Sequence, residues 1–528
     1  MKRREFITKT LPAGVLLPSL INGFSLKAFG ASSLLSAMTA ATEETDHVLV
    51  IIQLNGGNDG LNMVIPLQYY DNLVLARQNI ILPQSKIIKL GNFSTGLHPK
   101  MTGLGKLYDE GKVQVIQSVG YPTPNFSHFR ATDIWETASD ANVELETGWA
   151  GRYLGQAFPN FPIGFPNSVM PDPLAIQIGS FLSPAFQGPT LNMGMAISDP
   201  VNFYNLLNGI QSPAPNTNAG KELTYIRQVS QQTQQYANVI KTAANKVKAQ
   251  ATYPTGNSLA DQLKIVARLI GGGLKTRMYM VNIGGFDTHA NQVVANATDT
   301  GSHATLMLKV SDAIKAFMDD LKLQGVSKRV AGMTFSEFGR RIKSNAGGGT
   351  DHGAAAPIFV FGDAIQGGVL GNNPVISATT SVNDNVPMQY DFRSVYATLL
   401  EKWFCVDKAV LQNVMFKNFQ SLPIIQAGTN CVSTNVTAVN LASGQNLITN
   451  YPNPFSSRTS IKYTSAGGHV LIQVFNTMGK LITTLQDGIK PAGTYTVDFE
   501  NRYYPPGVYY ARLQNEDLQQ VRNMMIVR

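Results

Sequence analysis

Short, nearly continuous apolar runs recur along the chain and alternate with segments of helical periodicity. The runs are HVLVIIQL (His47–Leu54), VQVIQSVG (Val113–Gly120), RMYMVNIGG (Arg277–Gly285), RVAGMTFS (Arg329–Ser336) and APIFVFG (Ala356–Gly362). A strand that is apolar along its whole length is typical of a parallel sheet covered on both faces. Helical stretches such as SHFRATDIWETAS and HATLMLKVSDAIKAFMDDLKLQG lie between them. This alternation predicts a three-layer α/β domain with a mainly parallel sheet over residues 45–427.

One segment of this domain has a different composition. Residues 150–215 are rich in Pro, Gly, Asn and Phe and show weak periodicity. Because Pro and Gly interrupt regular elements, we expect an irregular insertion that could shape a substrate cleft.

From residue 448 onwards, apolar and polar residues alternate with the period of two that is typical of half-exposed strands. The runs IKYT, VLIQVF, TYTVDF and VYYARL are separated by the turn sequences AGG, TMGK, KPAGT and PPG. Residues 428–447 are rich in Thr, Ser, Asn, Val and Gly, which is a linker composition. The pattern predicts a small all-β sandwich over residues 448–528, joined to the α/β domain by that linker.

The first 41 residues have the anatomy of an export signal. Arg3 and Arg4 precede Phe6, and a modestly apolar run from Leu11 to Ile21 follows. This arrangement resembles the twin-arginine signal, an address that the twin-arginine translocase reads. The alternative is a basic N-terminus before an ordinary helix, but prolines interrupt the run, which is also too short to span a bilayer. We therefore predict a twin-arginine signal peptide over residues 1–41.

The net charge of the chain indicates which classes of binding partner are expected. The formal net charge is +8, and residues 1–41 contribute +4 of it, from five Lys and Arg against Glu5. The other +4 is spread over residues 42–528 without a dense basic cluster, so no nucleic-acid partner is predicted. No later stretch reaches about 18 consecutive apolar residues, so we expect no transmembrane segment in the mature protein.

The chain has two cysteines, Cys405 and Cys431. Two cysteines cannot form a disulfide framework or a four-cysteine metal site. An oxidising destination would allow one disulfide between them. Two unrelated buried thiols are the alternative.

Acidic residues and histidines lie close to the ends of the predicted strands. Asp59 follows the first strand, Asp287 and His289 follow the third, Glu337 follows the fourth, and His352 precedes the fifth. Ligands of open α/β sheets gather at the carboxyl ends of strands, so Asp59, Asp287, His289 and Glu337 could converge. Carboxylates and imidazoles are the ligand set for Zn²⁺ or Mn²⁺. The alternative for each residue is structural: turn formation, capping, pairing with an arginine, or an ordinary hydrogen bond.

The C-terminal segment resembles a known sorting module. Its motifs YPNPF (Tyr451–Phe455), NTMGK (Asn476–Lys480), AGTYTV (Ala492–Val497) and PPGVYYARL (Pro505–Leu513) are similar to those of the C-terminal sorting domain of type IX secretion cargo. The resemblance implies recognition by the outer-membrane type IX secretion machinery, with export through the periplasm to the cell surface or the medium. The resemblance also implies that this domain carries no catalysis. The alternative is a generic β-sandwich spacer.

The α/β domain also resembles a known family, over Val48 to Gln426. The motifs that carry the resemblance are QLNGGNDGLNMVIPL, LHPKMTGL, SHFRATDIWET, GWAGRYL, GFDTHANQ, TFSEFGRR and GTDHGAAAPIFVFG. They are similar to those of the exported "domain of unknown function 1501" family, which is grouped with the alkaline-phosphatase-like hydrolases. The resemblance implies an alkaline-phosphatase-like domain that binds one or two divalent ions, Zn or Mn.

The resemblance also implies roles for individual residues. Asp59 takes the place of the metal-binding Asp after the first strand, and Ser127 takes the place of the nucleophile at a helix start. Asp287 with His289 matches one metal-binding pair. His352 matches the last metal-binding histidine. The implied metal ligands are thus Asp59, Asp287, His289, Glu337 and His352, with Asp351 beside His352.

The chain departs from the superfamily pattern at two places. Where Asp-His-Gly is expected, it reads EFGR (Glu337–Arg340), and Phe338 cannot bind a metal. The usual Asp-x-x-x-His spacing is compressed to Asp287-x-His289, so His303 becomes a candidate for the missing ligand. These departures favour a single ion or an altered pair over a complete two-zinc site.

The chemistry that the resemblance implies is hydrolysis of a phosphate or sulfate ester by a secreted, metal-dependent enzyme. Ser127 would attack, although a helix N-cap is the alternative for this residue. Arg340, or else Arg130 or Arg341, would bind the anionic ester.

One type of sulfatase is excluded by the sequence, and a non-catalytic function is an alternative to hydrolysis. No C/S-x-P-x-R sequence surrounds Ser127 or either cysteine, so a formylglycine sulfatase is not expected. The alternative to an enzyme is a non-catalytic cell-surface or scaffold protein that retains a phosphatase-like fold. The altered EFGR motif favours that alternative, and the retained acidic residues and histidines favour the hydrolase.

Overall fold

A computed structural model describes residues 45–198, 236–429 and 448–526. It does not describe residues 92, 93, 160, 163, 164, 168 and 190 in the first range, or residues 454, 466, 477–480, 502, 503, 516 and 517 in the last. The described residues belong to two compact units, which divide between residues 434 and 435. The predicted signal peptide and most of the predicted linker lie outside the described residues.

The strands of the first unit are short, and most of them lie in one sheet. They are β1 (Val48–Leu54), β2 (Val64–Pro66), β3 (Ile88–Lys89), β4 (Thr95–Leu97), β5 (Val113–Gly120), β6 (Ala175–Ile178), β7 (Met195–Ile197), β8 (Met278–Ile283), β9 (Val330–Phe335), β10 (Arg340–Ser344), β11 (Thr350–His352), β12 (Ala356–Gly362), β13 (Gly368–Leu370) and β14 (Tyr390–Asp391).

The helices of this unit lie between the strands. They are α1 (Gly60–Met63), α2 (Tyr70–Ala76), α3 (Thr102–Asp109), α4 (His128–Thr137), α5 (Trp149–Ala157), α6 (Ser258–Gly271), α7 (Ser302–Leu323), α8 (Phe392–Thr398), which continues as the π-helical turn Leu399–Trp403, and α9 (Lys408–Met415). Residues 236–246 are also helical. Within the part of the chain that the structure describes, no helix has the length and apolar character needed to cross a membrane.

The central sheet has nine strands and is mainly parallel. Its order is β13-β5-β12-β9-β1-β8-β6-β7, with β14 beside β5. β1 pairs in parallel with β8 and β9, β6 with β7 and β8, and β5 with β13 and β14. β12 runs antiparallel to β5 and β9. The predicted mainly parallel sheet is confirmed, and so are the five predicted strands, which are β1, β5, β8, β9 and β12.

Helices cover both faces of this sheet. On one face, residues of α3, α6 and α7 share a buried cluster with alternate residues of β1 and with Val330 of β9. Phe335 is an odd number of residues beyond Val330, so its side chain lies on the opposite face. There Trp135 of α4 stacks on Phe335, with 5.6 Å between the ring centroids. The three-layer arrangement predicted from the continuous apolar runs is therefore confirmed.

The expectation of an irregular insertion over residues 150–215 is partly wrong. This segment holds most of α5, the edge strand β7 and its neighbour β6. These strands have four and three residues. Their short length, between segments rich in Pro and Gly, explains why no period of two was visible in the sequence. Residues 199–235 lie outside the described part of the chain.

The turns after β1, β8 and β9 meet, because these three strands are neighbours in the sheet. The Asn55 N–H donates to the Ile283 carbonyl at 2.9 Å. The Asn58 N–H donates to Ser336 Oγ at 3.0 Å. Gly56 has a φ of +125°, and a Cβ at this position would lie 2.3 Å from the Asp287 nitrogen. Because glycine has no side chain, the turn after β1 can cross directly over the turn after β8.

The second unit consists of two antiparallel sheets. Its strands are β15 (Ile448–Tyr451), β16 (Arg458–Ser465), β17 (Gly468–Asn476), β18 (Leu481–Lys490), β19 (Gly493–Glu500), β20 (Gly507–Asn515) and β21 (Leu518–Ile526). Their orders are β15-β16-β19 and β18-β17-β20-β21. A buried cluster that includes Ile461, Ile472 and Leu513 draws on both sheets. The predicted C-terminal β-sandwich is therefore confirmed.

Cys405 is disulfide-bonded. The expectation that Cys405 can form a disulfide is therefore confirmed. Cys431, the other cysteine of the chain, lies outside the described residues.

Candidate metal centre

Three histidines and one aspartate meet beyond the strand ends of the central sheet. Asp287 and His289 lie on the loop after β8, His352 ends β11, and His128 begins α4. His128, Asp287 and His352 each place one possible ligand atom within 4.8 Å of the other two. His289 joins them, because its Nε2 lies 3.2 Å from Asp287 Oδ1 and 2.8 Å from His352 Nε2. We call these four residues the histidine cluster.

The Nδ1 atom of each cluster histidine has an acceptor as its partner. The Nδ1 of His128 lies 2.8 Å from Glu337 Oε1. The Nδ1 of His352 lies 2.8 Å from the carbonyl oxygen of Phe126. The Nδ1 of His289 lies 3.3 Å from Asp351 Oδ1.

These partners decide the tautomer of each ring. A carbonyl or a carboxylate only accepts hydrogen bonds, so each Nδ1 carries the hydrogen and donates it. Each Nε2 of a neutral ring is then left with a lone pair.

The three Nε2 atoms converge on the carboxylate of Asp287. Besides the 3.2 Å contact of His289, the Nε2 of His352 lies 3.4 Å from Oδ1 and the Nε2 of His128 lies 3.5 Å from Oδ2. Two facing lone pairs at 2.8 Å, as in His289 and His352, repel each other unless a proton or a cation lies between them.

The donor set and its spacing fit a divalent transition metal. Ions such as Zn²⁺ bind imidazole nitrogen and carboxylate oxygen at about 2.0–2.1 Å, so neighbouring ligands of a tetrahedral site are about 3.3 Å apart. His289 Nε2, His352 Nε2 and Asp287 Oδ1 have separations of 2.8, 3.2 and 3.4 Å. Hydrogen bonds from the outer ring nitrogens to carboxylate and carbonyl oxygens are the usual way in which proteins orient metal-binding imidazoles.

The charges around the cluster favour an ionised Asp287. Burial tends to raise the pKa of this carboxyl, but the hydrogen bond and charge of Arg340, with His128 and His289 nearby, hold the pKa below its usual value. The hydrogen bond to Glu337 raises the pKa of His128. Burial, together with the charges of Arg340 and His128, lowers the pKa of His352. The carboxylate of Asp287 is therefore negatively charged at neutral pH.

Comparison with known proteins shows the family of the chain. Residues 117–415, more than half of the sequence, match the family model described as "Protein of unknown function (DUF1501)". The chain belongs to the DUF1501 family. Residues 449–527 match the model described as "Secretion system C-terminal sorting domain". The sorting domain indicates secretion to the cell surface or the extracellular space, as predicted.

Solved structures similar to this DUF1501 chain include a protein in the alkaline phosphatase superfamily from Vibrio parahaemolyticus, at 10% identity and a TM-score of 0.32, covering 85% of this chain and 83% of that one. The PsFucS1 sulfatase from Pseudoalteromonas sp. has 11% identity and a TM-score of 0.32, covering 88% and 86%. The alkaline phosphatase from the Antarctic bacterium TAB5 has 10% identity and a TM-score of 0.26, covering 61% and 93%. A search of curated proteins found no match.

In this DUF1501 chain, Phe338 stands where the superfamily resemblance implies the histidine of Asp-His-Gly, and its ring packs against two rings of the histidine cluster. Its side chain is buried. Its ring centroid lies 4.9 Å from that of His128 and 4.5 Å from that of His352. A Cβ on Gly57 would come within 2.1 Å of the Phe338 ring, so the glycine makes room for it. Phe338 therefore packs against the imidazoles of His128 and His352 and does not supply a metal ligand.

Arg340, expected to bind the ester, is instead fully buried beneath Asp287. Its side chain is 0% exposed, and its Nη2 lies 2.7 Å from Asp287 Oδ1. The same guanidinium donates to the carbonyls of Gly56, Gly57 and Thr350. With these partners, the Arg340 guanidinium holds Asp287 and the surrounding turns in place and does not face a substrate.

The lower-ranked candidates of the sequence lie in three different surroundings. Asp351 belongs to the rim of the cluster, because it accepts from His289 and from Asn345 Nδ2 at 3.0 Å. His303 is buried at the start of α7 beside Asn58, and burial lowers its pKa to about 4. Arg130 donates to backbone carbonyls at residues 140, 141 and 143, beyond the end of α4.

Asp59, the first metal ligand expected from the sequence, has other partners in the structure. Its carboxylate is completely buried, and Arg77 Nη1 lies 2.8 Å from both oxygens. Gln292 Nε2 donates to Oδ2 at 2.6 Å. Burial works against ionisation of Asp59, but the charge of Arg77 leads the interactions that hold its pKa below the usual value. The structure thus directs this carboxylate into a buried ion pair and not into the histidine cluster.

Replacing Arg77 with alanine is expected to lower the free energy of unfolding by about 3–5 kcal/mol, because the variant leaves the Asp59 charge buried and unpaired. Urea denaturation of the full chain measures the change. Lys86→Ala is a matched control, since Lys86 pairs with Asp299 at 2.9 Å but is 54% exposed. Such a surface pair contributes about 0–1 kcal/mol. Equal losses in the two variants would contradict a dominant role for the buried pair.

His128 is the cluster residue that sequence reasoning missed. The sequence leaves two roles open for His128, contact with a substrate or stabilisation of a turn, and favours the second. A signal was present in its position next to Ser127, at the start of a helix after the second predicted strand. The Ser127 side chain is exposed at the N-cap of α4 and makes no capping hydrogen bond.

Proposed function

We propose that this protein is a secreted, metal-dependent hydrolase of phosphate or sulfate esters. The observation that carries the proposal is the convergence of three imidazole Nε2 atoms on Asp287, with every Nδ1 already engaged by an acceptor. In a neutral cluster without a cation, the facing Nε2 lone pairs of His289 and His352 repel each other, whereas a divalent ion bound between the cluster residues would make these contacts favourable.

The residues that would hold the metal differ in part from those expected from the sequence. His128, Asp287, His289 and His352 would be the ligands, and Zn²⁺ or Mn²⁺ suits them. Glu337 would orient His128 from behind. A divalent ion bound here would neutralise charge on the nonbridging oxygens of an ester and favour ionisation of a nearby hydroxyl or water.

Ser127 is the proposed nucleophile. It precedes His128 directly, and its neighbour Phe126 binds His352 through the backbone carbonyl, so its loop is tied to the cluster on both sides. The N-terminus of α4 adds a favourable dipole for an anion. In the proposed reaction, Ser127 Oγ forms a bond to phosphorus or sulfur while the alcohol of the ester leaves with a proton. Water then releases the phosphate or sulfate and restores the serine.

One observation favours the second candidate function, a non-catalytic surface protein. Arg130 and Arg340, which were expected to bind the anionic ester, are both engaged by carbonyls or by Asp287. Under the hydrolase proposal, the ester would therefore depend on the metal and on the start of α4 for recognition.

One experiment on the wild-type chain distinguishes the hydrolase from the non-catalytic surface protein. Protein purified without chelator is analysed for Zn and Mn and then assayed with aryl phosphates, phosphodiesters and sulfates. Chelation should abolish turnover, and adding back Zn²⁺ or Mn²⁺ should restore it. Stoichiometric metal without turnover of any ester would support the non-catalytic alternative. Protein without metal, and unable to bind it, would refute both the metal centre and the hydrolase.

A further inference from the structure

The β10–β11 hairpin, which carries His352, lies against the loop that carries His289. Its tip consists of residues 345–349, with the sequence NAGGG. The Gly348 carbonyl at this tip accepts a hydrogen bond from the Gln292 N–H at 2.9 Å. The backbones of the hairpin and the loop are therefore joined, and each of the joined segments carries one proposed metal ligand.

Asn345, the first residue of this tip, uses every hydrogen-bonding position of its side-chain amide. Its Oδ1 accepts from the Gly347 and Gly349 N–H groups at 3.0 and 3.2 Å. Its Nδ2 donates to the His289 carbonyl oxygen at 2.9 Å and to Asp351 Oδ1 at 3.0 Å. An asparagine amide has two donor hydrogens and an oxygen with two lone pairs, so all four positions are occupied.

These partners also decide which end of the Asn345 amide faces His289. The two glycine N–H groups are donors and need an acceptor, whereas the His289 carbonyl and the Asp351 carboxylate need a donor. Turning the amide over would place donors against donors and acceptors against acceptors, and all four hydrogen bonds would be lost. The amide is therefore held in one orientation, with its NH₂ group towards His289.

The NH₂ group of Asn345 acts on His289 at two places. It binds the backbone carbonyl directly, and it binds Asp351, whose Oδ1 also lies 3.3 Å from His289 Nδ1. Because the Asp351 side chain is 56% exposed, packing alone does not fix its carboxylate, and the hydrogen bond from Asn345 does. Asp351 in turn holds the imidazole with its Nε2 towards Asp287, at 3.2 Å. One side chain thus restrains both the backbone and the ring of His289.

We propose that Asn345 is a positioning residue of the metal centre, which orients His289 for the ion by binding its carbonyl oxygen and by holding Asp351 against its ring. The inference rests on the proposed metal centre, because the role requires that His289 binds an ion. Partners behind metal-binding imidazoles typically change metal affinity 10–100-fold. Asn345 fixes such a partner, so its removal should have an effect near the lower end of this range.

The test measures Zn²⁺ affinity of the full chain by competition with a chelator. We expect Asn345→Ala to bind Zn²⁺ about tenfold more weakly than the wild type. In an Asp351→Ala background the same substitution should cost less than about threefold, because most of its effect passes through Asp351. With Co²⁺ in place of Zn²⁺, Asn345→Ala should also change the visible absorption spectrum, which reports the geometry of the ligands.

Asn79→Ala is the matched control. The Asn79 Nδ2 donates to the Asn345 carbonyl oxygen at 2.8 Å, so this variant loosens the same hairpin tip without removing a bond to His289 or Asp351. It should keep the Zn²⁺ affinity and the Co²⁺ spectrum of the wild type.

The outcomes separate this inference from the metal centre itself. A wild type that binds no Zn²⁺ would refute the metal centre and this inference with it. If the wild type binds Zn²⁺ and Asn345→Ala binds it equally well with an unchanged Co²⁺ spectrum, the inference alone is overturned. Equal losses in Asn345→Ala and Asn79→Ala, or the same loss with and without Asp351, would overturn it too. Because binding is measured and not turnover, an absence of ester hydrolysis does not affect the result.

Discussion

A chain in which His352 is replaced by alanine is expected to bind Zn²⁺ or Mn²⁺ at least about a hundredfold more weakly than the wild type, and to lose ester hydrolysis with the metal. His352 Nε2 lies 2.8 Å from His289 Nε2 and 3.4 Å from Asp287 Oδ1, so its removal takes away one of the four proposed ligands and lowers the affinity of the remaining three for the ion. Loss of an outer hydrogen-bond partner alone typically costs 10–100-fold in metal affinity. Loss of a ligand should cost more.

The measurement is metal content after dialysis, with the dissociation constant taken from competition with a chelator. His469→Ala is the matched control. His469 is a half-exposed histidine of the C-terminal unit that pairs with Asp487 at 2.9 Å, far along the chain from the cluster. If His352→Ala keeps its metal as well as His469→Ala does, the histidine cluster is not the metal centre.

The Ser127→Ala chain is expected to retain its metal but to hydrolyse esters at least about a thousandfold more slowly, because removal of a catalytic nucleophile has effects of this size or larger. The Ser127 hydroxyl makes no capping hydrogen bond, so its loss should leave the stability of α4 nearly unchanged. This separates a chemical effect from a structural one.

Turnover and metal content of Ser127→Ala are compared with those of Ser258→Ala, a second exposed serine at a helix start. A slow Ser127→Ala with wild-type metal content identifies the nucleophile. Equal turnover in the two variants would remove Ser127 from the reaction and leave a metal-bound water as the attacking group.

The sequence predicted the central sheet well, for a physical reason. β1, β5, β9 and β12 are buried along almost their whole length, and such burial requires the continuous apolar runs that are visible without a structure. β6 and β7 escaped prediction because three or four residues show no period. β6 is a strand because it pairs with β8, 103 positions away in the sequence, and β7 is a strand because it pairs in turn with β6.

The sequence also identified most of the histidine cluster. Asp287 and His289 could be found because the carboxyl ends of parallel strands are a known place for ligands, and His352 could be found because its TDHG motif resembles that of the family. Asp59 stands at the same kind of position, yet its carboxylate pairs with Arg77. The identity of that partner depends on how the loop after α1 folds back, which no pattern in the sequence indicates.

By itself, then, the sequence determined the layered α/β domain, the C-terminal sandwich with its sorting motifs, and the set of chemical groups near the strand ends. These properties depend on the local period and on the residue types, and both can be seen along the chain. The tertiary structure decided which groups meet: it brought His128 to Asp287, buried Arg340 and Asp59, and placed Phe338 beneath the imidazoles. Such contacts join residues as far apart as Gly56 and Arg340, which are separated by 284 positions in the sequence. They follow from the packing of whole elements, and no single segment specifies them.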